Sequence, residues 1–138
     1  MDWLIDLDPT HRILRLTVTT TVLTDEGLTD LYRVLGRIAS QGGPYSAITD
    51  LSEVVNMPVS AQTIRILAEN NPAVPSGTPR VIVAKQAIAY GLARMFQLSR
   101  DEMGGQLHVV HSMDEAYDVL GVNSEDFSQR LFPERSAA

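Results

Sequence analysis

The sequence predicts an α/β domain: a five-strand mixed, mostly parallel sheet with an N-terminal β-hairpin and about four helices packed mainly on one side. Three observations carry this. Two alternating stretches at the start, Trp3 to Asp8 and Arg12 to Thr19, are separated only by a short turn. From there, short apolar runs and segments of helical periodicity follow one another in strict succession. The run Val81-Ile82-Val83-Ala84 is apolar on both faces, as a central parallel strand requires.

In the first stretch Trp3, Ile5 and Leu7 share one face; in the second, Leu14, Leu16 and Val18 face in, and Arg15 and Thr17 face out. Asp8-Pro9-Thr10-His11 turns the chain between them, which leaves His11 exposed. Thr24 can cap a helix whose first turn carries Asp25 and Glu26, and Leu28, Leu31, Tyr32, Leu35 and Ile38 continue it until Gly42-Gly43-Pro44 stops it. Tyr45 to Thr49 is a strand. Ala61 to Asn70 is a helix with Ile64, Leu67 and Ala68 inward, and Asn70 to Pro79 is a loop with three prolines. Gln86 to Arg100 is helical, with Ala89, Leu92, Ala93 and Phe96 inward. Gly104-Gly105 turns into the strand Leu107 to Val110. Ser112-Met113-Asp114-Glu115 is a capping box that opens a helix closed by Gly121. The order is β-β-α-β-α-β-α-β-α, with right-handed crossovers. Residues 1–123 form one domain; residues 124–138 are a partly disordered extension with a last helical turn or two over Glu125 to Phe132.

The 138 residues suit one core, and 44% hydrophobic with 20% charged residues is globular composition. A net charge of −6 without a basic patch disfavours nucleic acid. The absence of cysteine excludes disulfides and thiolate chemistry. No apolar run reaches membrane-spanning length, and Met1-Asp2-Trp3 has no basic leader region, so a cytoplasmic protein without a membrane span is expected.

The candidate site lies between Tyr45 and Ser60. Asp50-Leu51-Ser52 follows a buried strand, and Ser60 sits at the mouth of the next helix, where α/β folds keep their sites. Ser60 has two readings: an N-cap, or a phosphorylation site, since a phosphate is also favoured by the free N–H groups there. Asp50 can orient a reacting group or simply accept hydrogen bonds from its loop, with Ser52 as neighbour. Asn56, Met57 and Pro58 form a loop lip beside Ser60. On the third helix, Arg94 falls four residues after Tyr90, so the two can stack, and Met95 extends a possible contact surface; the competing reading is a core helix with a snorkelling arginine. Ser60, His111 and Asp50 invite a serine-hydrolase reading, but no Gly-x-Ser-x-Gly elbow or oxyanion hole is legible. His108 and His111 point to opposite faces of a strand, so no metal and no cofactor is expected.

The element order, Asp50-Leu51-Ser52 and Ser60 together resemble the STAS domain, the fold of anti-sigma-factor antagonists, and are most similar to its diverged SpoIIAA-like bacterial branch. The resemblance spans Trp3 to Gly121. It includes Arg80-Val81-Ile82-Val83-Ala84 followed by the helix Tyr90-Gly91-Leu92-Ala93-Arg94-Met95-Phe96, and the segment Val109 to Ala116. In the antagonist branch the second serine of an Asp-Ser-Ser-Gly motif is phosphorylated by a partner kinase. Aligned from Asp50, that serine falls on Ser60, with Pro58, Val59 and Ala61 replacing the motif's acid, first serine and glycine. The resemblance implies a regulatory protein-interaction module, switched by phosphate on Ser60, whose partner is another protein. A homodimer would cover an open sheet edge. The alternative is a small-ligand or lipid carrier with a CRAL-TRIO-like core, which needs an apolar pocket under the Met57 loop and the Met95-Phe96 helix.

Overall fold

The computed structural model describes residues 2–69, 78–99 and 106–133. Its strands are β1 (Trp3–Asp8), β2 (Ile13–Val18), β3 (Ser46–Asp50), β4 (Arg80–Val83), β5 (Leu107–Val110) and β6 (Gln129–Phe132). Its helices are α1 (Asp25–Gly42), α2 (Ala61–Glu69), α3 (Ala87–Ser99) and α4 (Met113–Leu120). They build one six-stranded sheet in the order β5-β4-β3-β2-β1-β6. Strands β2 to β5 are parallel; β1 pairs antiparallel with β2, in the expected hairpin register from Trp3–Val18 to Asp8–Ile13. The α/β class, the hairpin and the four helices are therefore as the sequence predicts. The turn at Gly104-Gly105 and most of the proline-bearing loop after Glu69 lie outside the described residues.

Strand alternation divides the core in two. One face carries Ile5, Leu7, Leu14, Leu16, Val18 and Ala47, and packs against Leu28, Leu31 and Leu35 of α1, Ile64 and Leu67 of α2, and Ala89 and Phe96 of α3. The opposite face carries Ile13, Ile48, Val81, Val83 and Val110 under Ala116 of α4, with Val122 and Phe127 beyond it. Among the described residues, three helices cover one face and one covers the other. Arg15, expected to face solvent, instead faces this second layer, with its guanidinium 4.7 Å over the Phe127 ring.

The sixth strand is the main departure from the sequence reading. The helical turns expected over Glu125 to Phe132 reduce to one 3-10 turn, Ser124–Asp126, after which β6 joins the free edge of β1. Tertiary partners decide this. Arg130 Nε donates to Asp6 at 2.6 Å, and the rings of Phe132 and Trp3 stack at 6.2 Å. Four residues of weak local preference have no such complements in a helix. Residues 134–138 lie outside the described residues.

The helix ends follow their caps. Thr24 Oγ1 accepts from Gly27 N, and Ser112 Oγ accepts from Glu115 N, as the capping-box spacing predicts. Gly121 closes α4 in the left-handed region at φ +68°, with no atom within 4 Å of where a Cβ would stand. Backbone conformation alone therefore requires glycine. Replacement by alanine is expected to cost about 1 kcal/mol and replacement by asparagine less, read from thermal unfolding of both variants.

Candidate functional site

The parallel strands end together at Val18, Asp50, Val83 and Val110, and the N-termini of all four helices converge on this edge. Two loops are laced together there. Asn56 O accepts from Leu23 N at 3.1 Å, Thr21 O accepts from Val55 N and Asn56 N, and Val22 and Asn56 form an isolated parallel bridge. The lacing turns Val22 and Val55 outward, 45% and 62% exposed. Pro58 is exposed beside them.

Ser60 follows directly. Its Oγ accepts from Thr63 N at 3.1 Å and donates to Thr63 Oγ1 at 3.0 Å, which makes it the N-cap of α2. Its own N–H donates to Asp25 Oδ1 at 3.0 Å, across 35 residues of sequence. Asp25 therefore does more than complement the dipole of α1: it clasps the start of α2. The Ser60 side chain remains exposed.

The other predicted residues separate into local structure and surface. Asp50 Oδ1 accepts from Ser52 N at 2.9 Å and from Ser52 Oγ, so the pair closes its own turn. Asn56 is exposed and contributes through its backbone. Met57, expected on the loop lip, is 4% exposed, because the lacing of its neighbours directs it under the helices; the lip consists of Val22, Val55 and Pro58 instead. Tyr90 does not stack on Arg94. Its ring lies on His111 at 4.3 Å with 10° between planes, while Arg94 donates to Gln97. Met95 is 37% exposed on the outer side of α3. Among the described residues, no hydrogen bond joins Ser60, His111 and Asp50.

Two polar groupings were not legible in the sequence. On the second face of the sheet, Asp6 Oδ1 accepts from Arg130 Nε at 2.6 Å, and Asp6 Oδ2 lies 3.5 Å from Arg15 Nη2. Arg15 Nη1 also donates to the Tyr117 hydroxyl at 2.9 Å, tying α4 to the hairpin. At the hairpin turn, buried Asp8 accepts from Thr10 N and His11 N, both at 3.0 Å, and its Oδ2 lies 2.7 Å from His11 Nδ1. Asp126 completes a cluster whose potential ligand atoms lie within 4.8 Å of one another. His11 is thus tied to the fold rather than a bare turn residue. Each carboxylate already serves a turn, since Asp126 Oδ2 accepts from Asn123 N.

A cavity of ≈ 90 Å³ lies between the sheet and the first three helices, lined among others by Leu28, Leu31, Met57, Ile64, Leu92 and Phe96. No family model, curated protein or solved structure matches the chain. Among the described residues no helix is long and apolar enough to cross a membrane.

Proposed function

We propose that this chain is a non-enzymatic, STAS-like regulatory module that docks another protein through the rim formed by Val22, Val55, Pro58 and Ser60. The observation that carries this reading is the clasp between Asp25 and the Ser60 N–H, set beside two exposed valines. A phosphoryl group on Ser60 brings close to two negative charges. It gains from the N–H groups at the start of α2 and is repelled by Asp25. Asp25 belongs to the first turn of α1, immediately after the loop that presents Val22. Phosphorylation therefore opposes docking twice, by placing charge against an apolar rim and by loosening the loop that forms it. Intact-mass analysis of protein purified from its own host tests the switch: a gain of one phosphoryl group mapped to Ser60 supports it, and an unmodified Ser60 under all growth conditions contradicts it.

A second reading, a small-ligand-binding domain, is favoured by the cavity, which lies under Met57 and Phe96 as that reading requires.

A further inference from the structure

We infer that Asp8, His11 and Asp126 form a binding site for one divalent transition-metal ion, with zinc as the best fit. The site lies at the hairpin turn, at the opposite end of the sheet from Ser60, and does not depend on the docking role of that residue. One potential ligand atom from each side chain lies within 4.8 Å of the other two. Asp126 comes from the other end of the chain, so the grouping is not the by-product of a single turn.

Two observations beyond proximity point to a cation. The first is charge. Asp8 is 0% exposed, yet among the described residues no lysine or arginine forms an ion pair with it or with Asp126. The nearby arginines are engaged elsewhere: Arg15 and Arg130 with Asp6, and Arg12 with the Gly42 carbonyl and the Tyr45 ring. One imidazole brings at most one positive charge against two carboxylates, and buried charge is matched by a counter-charge or a metal. The second is unused coordination. The turns occupy one oxygen of each carboxylate: Asp8 Oδ1 accepts from Thr10 N and His11 N, and Asp126 Oδ2 accepts from Asn123 N. Asp8 Oδ2 meets only His11 Nδ1, at 2.7 Å, and Asp126 Oδ1 has no hydrogen bond among the described residues.

An imidazole nitrogen with two carboxylate oxygens is a zinc ligand set, with bonds of about 2.0–2.2 Å and tetrahedral ligand atoms about 3.3 Å apart. Binding therefore draws Asp126 inward and leaves a fourth position to water. The ion takes the place of the proton between His11 Nδ1 and Asp8 Oδ2, which is released or moves to Nε2 of the exposed ring. The bound ion ties the Ser124–Asp126 turn, and β6 after it, to the hairpin.

The test is calorimetric titration of the full chain with zinc chloride at neutral pH, followed by nitrogen NMR of the histidine rings. The expected result is one ion per chain with a Kd of about 10 μM or lower, a raised unfolding temperature, and a His11 Nδ1 resonance moved by coordination. Asp126→Asn keeps an oxygen for the Asn123 N–H and removes the charge; it and His11→Gln are each expected to weaken zinc at least tenfold. His108→Gln removes an exposed histidine on β5 and is expected to leave binding unchanged. Undiminished binding in both His11→Gln and Asp126→Asn, loss of binding in His108→Gln, or no binding up to ~1 mM overturns the site. Calcium bound more tightly than zinc overturns the part assigned to the imidazole.

Discussion

Replacing Asp6 with alanine is expected to lower the stability of the domain by about 3 kcal/mol, measured as a shift of the urea unfolding midpoint. Asp6 is 7% exposed and lies between two arginines from different strands. Its loss leaves two guanidinium groups facing each other across β1 with no carboxylate between them. The effect belongs at the lower end of the range for a broken buried pair, because the Arg15 and Arg130 side chains keep 18% and 27% of their exposure. Removing a second charge relieves part of the penalty, so Asp6→Ala with Arg130→Leu is expected to be more stable than Asp6→Ala alone. A loss below ~0.5 kcal/mol for the single variant would class the network with surface ion pairs and deny that it anchors β6.

The second large effect is on binding. Ser60→Asp is expected to reduce partner binding at least tenfold, about 1.4 kcal/mol, with the fold retained. Aspartate caps a helix as well as serine does, so α2 keeps its start. The added carboxylate nevertheless stands beside Asp25 and against Val22 and Val55. Ser60→Ala separates the two roles: it loses the cap, at about 1 kcal/mol of stability, and adds no charge, so binding by the folded fraction is retained. Asp25→Asn keeps an oxygen for the Ser60 N–H and removes the repulsion. Combined with Ser60→Asp it is expected to restore stability while binding stays weak, because the charge on the rim remains.

The sheet's central strands and all four helices were legible because their patterns are local. Alternation marks the hairpin, doubly apolar runs mark the buried strands, and Ser112 and Gly121 punctuate α4 without help from distant residues. What depended on distant partners was not legible. Arg15 alternates with apolar residues and reads as facing solvent, since nothing local announces that α4 and the segment through Phe127 cover it. Gln129 to Phe132 became a strand because β1 offered a free edge, Asp6 and Trp3. The candidate site divides the same way. The position of Ser60 at a helix mouth follows from the sequence around it. Its clasp by Asp25 does not, since 35 residues separate the two. Met57 and Pro58 are adjacent and apolar, yet the bridge between Val22 and Asn56 leaves one in the core and the other in solvent.

The proposed docking rim is tested most directly by photo-crosslinking in the native host. A photo-reactive residue replaces Val55, in the unmodified background and in Ser60→Asp, and replaces Val119 on the far side of the sheet as a control. The account predicts one discrete crosslinked protein from position 55, its yield at least tenfold lower with Ser60→Asp, and none from position 119. The same product from both positions, or an equal yield with and without Ser60→Asp, would contradict it.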